Sequence, residues 1–147
     1  SRLTQAREPL VEGIWGFVDG KNYRVQEPTR ADLQNANYNG WLHSTLVTGT
    51  LCYGVDGTLV WGRHNCPSSW NDGETSRQLQ EKLTNPDFTV PGTGVAADSA
   101  FPVAREAIGK IVTPLKDGDV ERASADFRLA MLALHNAITS LRQAAEW

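Results

Sequence analysis

The sequence lacks the features that place a chain in a membrane or in a disulfide-stabilised secreted scaffold. It contains no run of about 18 apolar residues and no charged-then-apolar leader, so neither a membrane span nor a secretory signal is predicted. Two cysteines, Cys52 and Cys66, are too few for a disulfide framework and are predicted to be reduced, buried thiols of an intracellular protein. His64 and Cys66 have no second pair at zinc spacing, so we do not expect a zinc site.

An excess of positive charge is also missing, since the net charge is −3. An acidic chain repels a phosphate backbone, so a nucleic-acid partner would need a local basic patch or a segment outside this sequence. The 147 residues, 40% of them hydrophobic, suit one domain over residues 1–147. Because Ser1 opens the chain and Trp147 falls inside a helical pattern, we expect a fragment truncated at both ends.

A short apolar run, residues 14–18, ends in Asp19 and Gly20 and predicts a buried central strand. Ligands gather at the carboxyl ends of strands in open α/β sheets, which makes Asp19 the first candidate for chemistry. The alternative is a plain Asp-Gly turn. Residues 22–25 are predicted to continue as a short extended piece before Pro28. Residues 30–40, rich in Asn, are predicted to be a loop.

A hairpin is predicted next, with strands over residues 41–55 and 58–61 around the turn pair Asp56-Gly57. Residues 62–69 are predicted to be a loop. A helix is predicted from near Asp72 to before Pro86, and Asp72 itself suits a helix N-cap.

A second small apolar run, residues 94–97, also ends in a carboxylate, Asp98. An edge strand is predicted over residues 111–114, because Pro114 has no backbone N–H to donate to a neighbouring strand. The remainder is predicted to be helix, with an apolar stripe facing the sheet. That stripe consists of Val120, Ala123, Phe127, Ala130, Leu134, Ile138, Leu141 and Ala145.

A polar stripe on the same helix contains His135, Thr139, Arg142 and Glu146 at steps of four, three and four residues. His135 and Arg142 are candidates to orient Glu146 or contact a phosphate, and the alternative is a solvated face. Lys21 and Arg24 are candidate DNA-backbone contacts or simply solvated side chains.

The predicted order is a strand with Asp19, a hairpin, a helix, a strand with Asp98, and a long helix with Glu146. The chain resembles the DDE superfamily endonucleases of PIF/Harbinger-type transposons over almost its whole length. The matching segments are Phe17-Val18-Asp19-Gly20, Tyr38-Asn39-Gly40-Trp41, Pro67-Ser68-Ser69-Trp70-Asn71-Asp72, Ala97-Asp98-Ser99-Ala100-Phe101-Pro102 and Arg142-Gln143-Ala144-Ala145-Glu146-Trp147. Residues 99–145 separate the last two acids, a gap similar to that of this transposase group.

The resemblance implies an α/β, ribonuclease H-like fold, a mixed sheet with flanking helices. It implies Asp19, Asp98 and Glu146 as catalytic, metal-binding residues. It also implies Asp72 as the acid of a His-Asp motif whose histidine is replaced here by Asn71. Mg²⁺ or Mn²⁺, as two ions, is the expected cofactor, since hard oxygen ligands suit such ions and two ions can assist phosphodiester cleavage.

The function that this implies is a metal-dependent DNA endonuclease of a transposase, acting in the nucleus. A separate DNA-binding partner protein or an N-terminal module outside the sequence would supply recognition of DNA. The alternatives are a domesticated, catalytically inactive DNA-binding or scaffold protein and, less in keeping with the motifs, a hydrolase of small phosphate compounds. Because the helix with Glu146 stops one residue later, we expect weak or no cleavage by this chain alone.

Overall fold

The structure is a computed structural model that describes residues 12–116, 118–122 and 124–143. Its elements in chain order are β1 (Ile14–Arg24), α1 (Ala31–Asn37), β2 (Tyr38–Asn39), β3 (Ser44–Gly54), β4 (Leu59–Pro67), α2 (Asp72–Thr84), β5 (Gly94–Ala96), a 3-10 turn (Arg105–Ala107), β6 (Ile111–Val112), α3 (Asp119–Arg122) and α4 (Ala125–Gln143). None of the described helices has the length and apolarity that crossing a membrane requires.

The strands form one mixed sheet in the order β2-β3-β1-β5-β6, with β4 also paired to β3. β1 is antiparallel to β3 and parallel to β5, and β6 continues the parallel part. The sheet has helices on both faces. Neighbouring residues of β1 point to opposite faces, so this strand contacts a helix on each side. Val18 packs with Leu79 and Leu83 of α2, whereas Phe17 packs with Ile138 of α4. The predicted mixed α/β sheet with flanking helices is therefore confirmed.

The sequence predicted that the first strand ends at Asp19, and the structure shows that it does not. β1 continues to Arg24, because it pairs with β3 as far as Arg24 opposite Leu46. What ends near Asp19 is the parallel pairing with β5, whose last pair is Phe17 with Ala96. The alternative of a tight Asp-Gly turn is therefore wrong.

Two segments predicted to be loops contain regular structure. Residues 31–37 form α1, which has no buried residue and therefore no apolar periodicity to reveal it. Its start is supported by Arg30, whose Nη2 and Nε donate to the carboxylate of Asp32 at 2.6 and 3.1 Å. Residues 62–67 belong to β4, which pairs with β3 across a register shift.

The Asp56-Gly57 hairpin and the helix from Asp72 are confirmed. Thr58 N donates to Asp56 Oδ1 at 3.0 Å, and Gly57 has the positive φ of 84° that the turn needs. The long C-terminal helix is divided into α3 and α4, and its predicted apolar stripe is confirmed at Ile138 but wrong at Ala130 and Leu134. Ala137 and Ile138 are buried, whereas Ala130 and Leu134 are exposed.

Candidate active site

Asp19 and Asp98 occupy matching positions on neighbouring parallel strands. Each lies two residues beyond the last β1–β5 pair, Phe17 with Ala96. Those two residues pack on the α4 side of the sheet, while Val18 and Ala97 pack on the α2 side. Because side chains alternate along extended backbone, both carboxylates project from the α4 side. The two predicted acids are therefore brought to one edge of the parallel pair.

Hydrogen bonds and an ion pair restrict these two carboxylates. Asp98 Oδ1 accepts from Ala100 N at 2.7 Å, and the Asp98 carbonyl accepts from Phe101 N at 3.3 Å. Asp19 Oδ2 lies 3.6 Å from Lys21 Nζ, with both side chains about half exposed. An exposed ion pair of this kind adds little stability, so Lys21 can leave Asp19 and pair with another anion at a small cost in free energy.

Asp72 reaches the same place from the other face of the sheet. Its carboxylate packs on Gly20, where a Cβ atom would overlap Oδ1 and lie 2.8 Å from Cγ. Burial is the main cause that raises the pKa of the Asp72 carboxyl, followed by the negative charges of Asp98 and then Asp19. The three aspartates are thus close enough to repel one another electrostatically.

The N-cap of α2 is Asn71, so the alternative that Asp72 serves as the cap is wrong. Asn71 Oδ1 accepts from Glu74 N at 3.0 Å, and Asn71 N donates to Glu74 Oε2 at 3.3 Å, a complete capping box. The residue that replaces the histidine of the His-Asp motif therefore has a structural role here. Asp72, one residue later, is left to face the other acids.

A buried hydroxyl pair ties the start of α2 to the sheet. Thr50 Oγ1 and Thr75 Oγ1 are 2.6 Å apart, and both residues are fully buried. Thr75 Oγ1 also donates to the carbonyl of Asp72 at 3.3 Å. Thr50 pairs with Gly20 on β1, so these hydrogen bonds fix the first turn of α2, and with it Asp72, next to Gly20.

Positive side chains lie beside this acid cluster despite the acidic overall charge. The Arg63 guanidinium stacks over the Trp70 ring at 4.9 Å from its centroid. Arg63 pairs with Thr50, which in turn pairs with Gly20, so Arg63 is two strands, about 10 Å, from the acids. Arg63, Trp70, Glu74 and Arg77 line one cavity of about 140 Å³.

Two further predicted residues, His135 and Arg142, lie in α4. His135 lies within α4, and its buried Nδ1 has no hydrogen-bond partner in the described part of the chain. Arg142 lies in the last turn of α4. Glu146 lies outside the described residues.

The donor set of Asp19 and Asp98 suits a hard divalent cation. Carboxylate oxygens are the ligands that Mg²⁺ prefers, and this ion binds through one or two carboxylates while keeping several waters. Burial first, and then the charges of Asp98 and Asp19, raise the pKa of Asp72, and a bound cation would offset the charge repulsion. Within residues 12–116, 118–122 and 124–143, no group of three His, Cys, Asp or Glu side chains is arranged to hold a metal.

Sequence reasoning missed Gly20, Thr50 and Thr75, which position Asp72. The signal for Gly20 was present, because a glycine directly after a candidate acid indicates close approach of another group. The threonine pair left no signal, since its two members are 25 residues apart. Cys52 and Cys66 are free and buried, as predicted.

A mixed sheet with helices on both faces and acids at the end of its central parallel pair defines a ribonuclease H-like nuclease fold. The comparison with protein families agrees, since the model described as DDE superfamily endonuclease matches residues 18–147. The chain belongs to the DDE superfamily endonucleases. No curated protein and no solved structure matches the chain significantly.

Proposed function

We propose that this chain is the catalytic domain of a PIF/Harbinger-type transposase, which cleaves phosphodiester bonds in DNA with divalent metal ions. Family membership supports a nuclease that acts on DNA. The observation on which the proposal rests is the placement of three carboxylates: Asp19 and Asp98 each lie two residues beyond the last β1–β5 pair, and Asp72 packs on Gly20. In agreement with this, burial and then the charges of Asp98 and Asp19 raise the pKa of Asp72. Acids that repel one another are destabilising without a cation, so their convergence favours a metal-binding role.

In this proposal Asp19 and Asp98 hold Mg²⁺ or Mn²⁺, and Glu146 supplies the third carboxylate. Asp72 lies beside them as a further acid. When bound, two such ions activate the attacking water and stabilise the charge on the departing oxygen. The rest of the chain keeps the acids in place: the threonine pair fixes α2, and the Ala100 amide fixes Asp98.

Contacts to DNA are assigned to the cations around the acids. Lys21 is exposed and lies on the strand next to Asp19, where it can pass from that carboxylate to a DNA phosphate. Arg63 and Arg77, which line one cavity near the start of α2, offer two further positive charges. With a net charge of −3, the chain needs help for sequence-specific binding, so we propose a separate DNA-recognition module or partner and action in the nucleus.

The test is the effect of metal on DNA affinity, followed by fluorescence anisotropy of a labelled duplex in EDTA, Ca²⁺ or Mn²⁺. We expect either metal to strengthen binding by neutralising the acids. The increase should disappear in Asp19→Asn and Asp98→Asn. Asp87→Asn, a change at an exposed acid of another loop, is the matched control and should respond as the wild type does.

Two results would overturn the proposal. One is DNA affinity that does not change with metal in the wild type. The other is an equal increase in all three variants, which would place the metal effect outside Asp19 and Asp98.

A further inference from the structure

A groove lies on the α4 side of the sheet, beyond the acids. Its volume is about 420 Å³, and its lining residues come from three strands: Tyr23 of β1, Val47 and Leu51 of β3, and His64 and Asn65 of β4. Sites for small ligands range from about 300 to 1,000 Å³, so the groove has room for a nucleoside. The floor is apolar, and the side chains of Tyr23, His64 and Asn65 are exposed at its margin.

The groove is continuous with the acid pair. Every second residue of a strand lies on the same face, so Asp19, Lys21 and Tyr23 follow one another along one side of β1. Leu51, in the groove floor, pairs directly with Asp19, and Val47 pairs with Tyr23. At about 3.3 Å per residue, the Cα of Tyr23 is about 13 Å from the Cα of Asp19. The backbone of Lys21 lies midway, and its Nζ lies 3.6 Å from Asp19 Oδ2.

A β-bulge shapes the far wall. The β3–β4 register shifts between Thr48 and Thr50, so that His64 and Asn65 together face Gly49. Asn65 has φ 60°, a left-handed conformation that is unusual outside glycine. Gly49 is needed because a Cβ there would lie 2.8 Å from the His64 Cα. Bulges beside active sites redirect side chains, and strained backbone of this kind clusters at ligand sites.

This combination fits one chemistry: a flat ring that stacks on Tyr23 above an apolar floor, with edge atoms within reach of imidazole and amide groups. Tyrosine stacks on nucleobases, and asparagine pairs with their edges. Lys21, between groove and acids, is placed for the intervening phosphate.

We propose that the groove binds a nucleobase of the DNA strand beside the scissile phosphate. A base in a stacked, paired duplex cannot lie flat on Tyr23, so the base must be unpaired or turned out of the helix. The inference rests on the proposed function for its position beside cleavage, but the binding of a base is separable from metal binding.

The experiment compares two probes that share one backbone: fluorescein-labelled oligothymidylate and an oligomer of equal length in which every nucleotide is an abasic spacer. Binding is measured by anisotropy at low salt, in EDTA and in Ca²⁺. Stacking on an aromatic side chain strengthens binding by about 5- to 150-fold per base, so the wild type should prefer oligothymidylate by that order. Tyr23→Ala should bind both probes equally, and Tyr23→Phe should keep the preference.

Two further variants make the result specific to the groove. Trp41→Ala removes an aromatic side chain that is 90% exposed and outside the groove, and it should leave the preference intact. Asn65→Gly suits the positive φ, so it removes the amide without straining the fold and should weaken the preference. Thermal melting checks that each variant is folded.

The outcomes separate the two proposals. The groove does not bind a nucleobase if the wild type shows no preference for oligothymidylate in either buffer. The same conclusion follows if Tyr23→Ala retains the preference of the wild type. Either conclusion is independent of the effect of metal on DNA binding. If the preference depends on Tyr23 but metal never strengthens DNA binding, the groove binds bases and the nuclease proposal fails instead.

Discussion

Gly20→Ala is the most informative change to the packing of the site. A Cβ at Gly20 would overlap Asp72 Oδ1 and lie 2.8 and 3.0 Å from Cγ and Oδ2. Gly20 lies within β1, and its φ is not in the left-handed region, so alanine itself fits the backbone. The cost of the substitution therefore comes from displacing the Asp72 carboxylate.

The magnitude follows from two opposing effects. An added methyl group in a tightly packed site costs about 1–3 kcal/mol. Alanine also restricts the unfolded chain, which restores about 0.4–1 kcal/mol. The net loss in unfolding free energy should lie between about 0 and 2.6 kcal/mol, or up to about 10 °C in Tm at 2–4 °C per kcal/mol.

Urea and thermal unfolding of Gly20→Ala, Asp72→Ala and the double variant measure the effect as a coupling energy. In the Asp72→Ala background the overlapping atoms are gone, so Gly20→Ala should cost nothing and should show only the gain of about 0.4–1 kcal/mol from the restricted unfolded chain. Gly40→Ala is the matched control, because no atom lies within 4 Å of a Cβ there. Equal effects of Gly20→Ala and Gly40→Ala, or costs that simply add in the double variant, would refute the contact between Gly20 and Asp72.

Three further predictions concern buried groups of the fold. Burial, and then the charges of Asp98 and Asp19, raise the pKa of Asp72, so the folded chain holds that proton more tightly. The unfolding free energy of the metal-free protein should therefore fall as pH rises above the ordinary value of 3.8, and Asp72→Asn should reduce this fall in urea melts. Thr75→Val leaves the buried Thr50 hydroxyl without its partner and should cost about 1–3 kcal/mol in the same melts, whereas Thr75→Ser should recover most of it. Burial raises the pKa of Cys52 to about 12, so its thiol should react with a disulfide reagent only upon unfolding, and fast reaction of the folded protein at about pH 8 would contradict this.

The sequence predicted those parts of the site that depend on local signals. Asp98 follows a short buried strand, and the Asp56-Gly57 turn fixes the hairpin. The sequence predicts an extended piece over residues 22–25, but its continuity with β1 past Asp19 depends on pairing with β3, whose partner residues lie more than twenty positions away. The convergence of Asp72 on Asp19 and Asp98 likewise depends on how α2 crosses the sheet.

The buried face of α4 illustrates a different failure. The predicted stripe is confirmed at Ile138, which contacts the sheet, but it included Ala130 and Leu134, which are exposed, and it left out the buried Ala137. Alanine and leucine recur on more than one face of this helix, so periodicity alone did not identify the buried one. The bulge at Asn65 also escaped prediction, because its cause is Gly49 on the neighbouring strand.

The central claim is that Asp19 and Asp98 share one cation site, and calorimetric titration with Mn²⁺ tests it most directly. We predict that the wild type binds Mn²⁺, that Asp19→Asn and Asp98→Asn each weaken binding by at least about tenfold, and that Asp87→Asn binds like the wild type. Negligible binding by the wild type, or equal affinity in all four proteins, would contradict the claim.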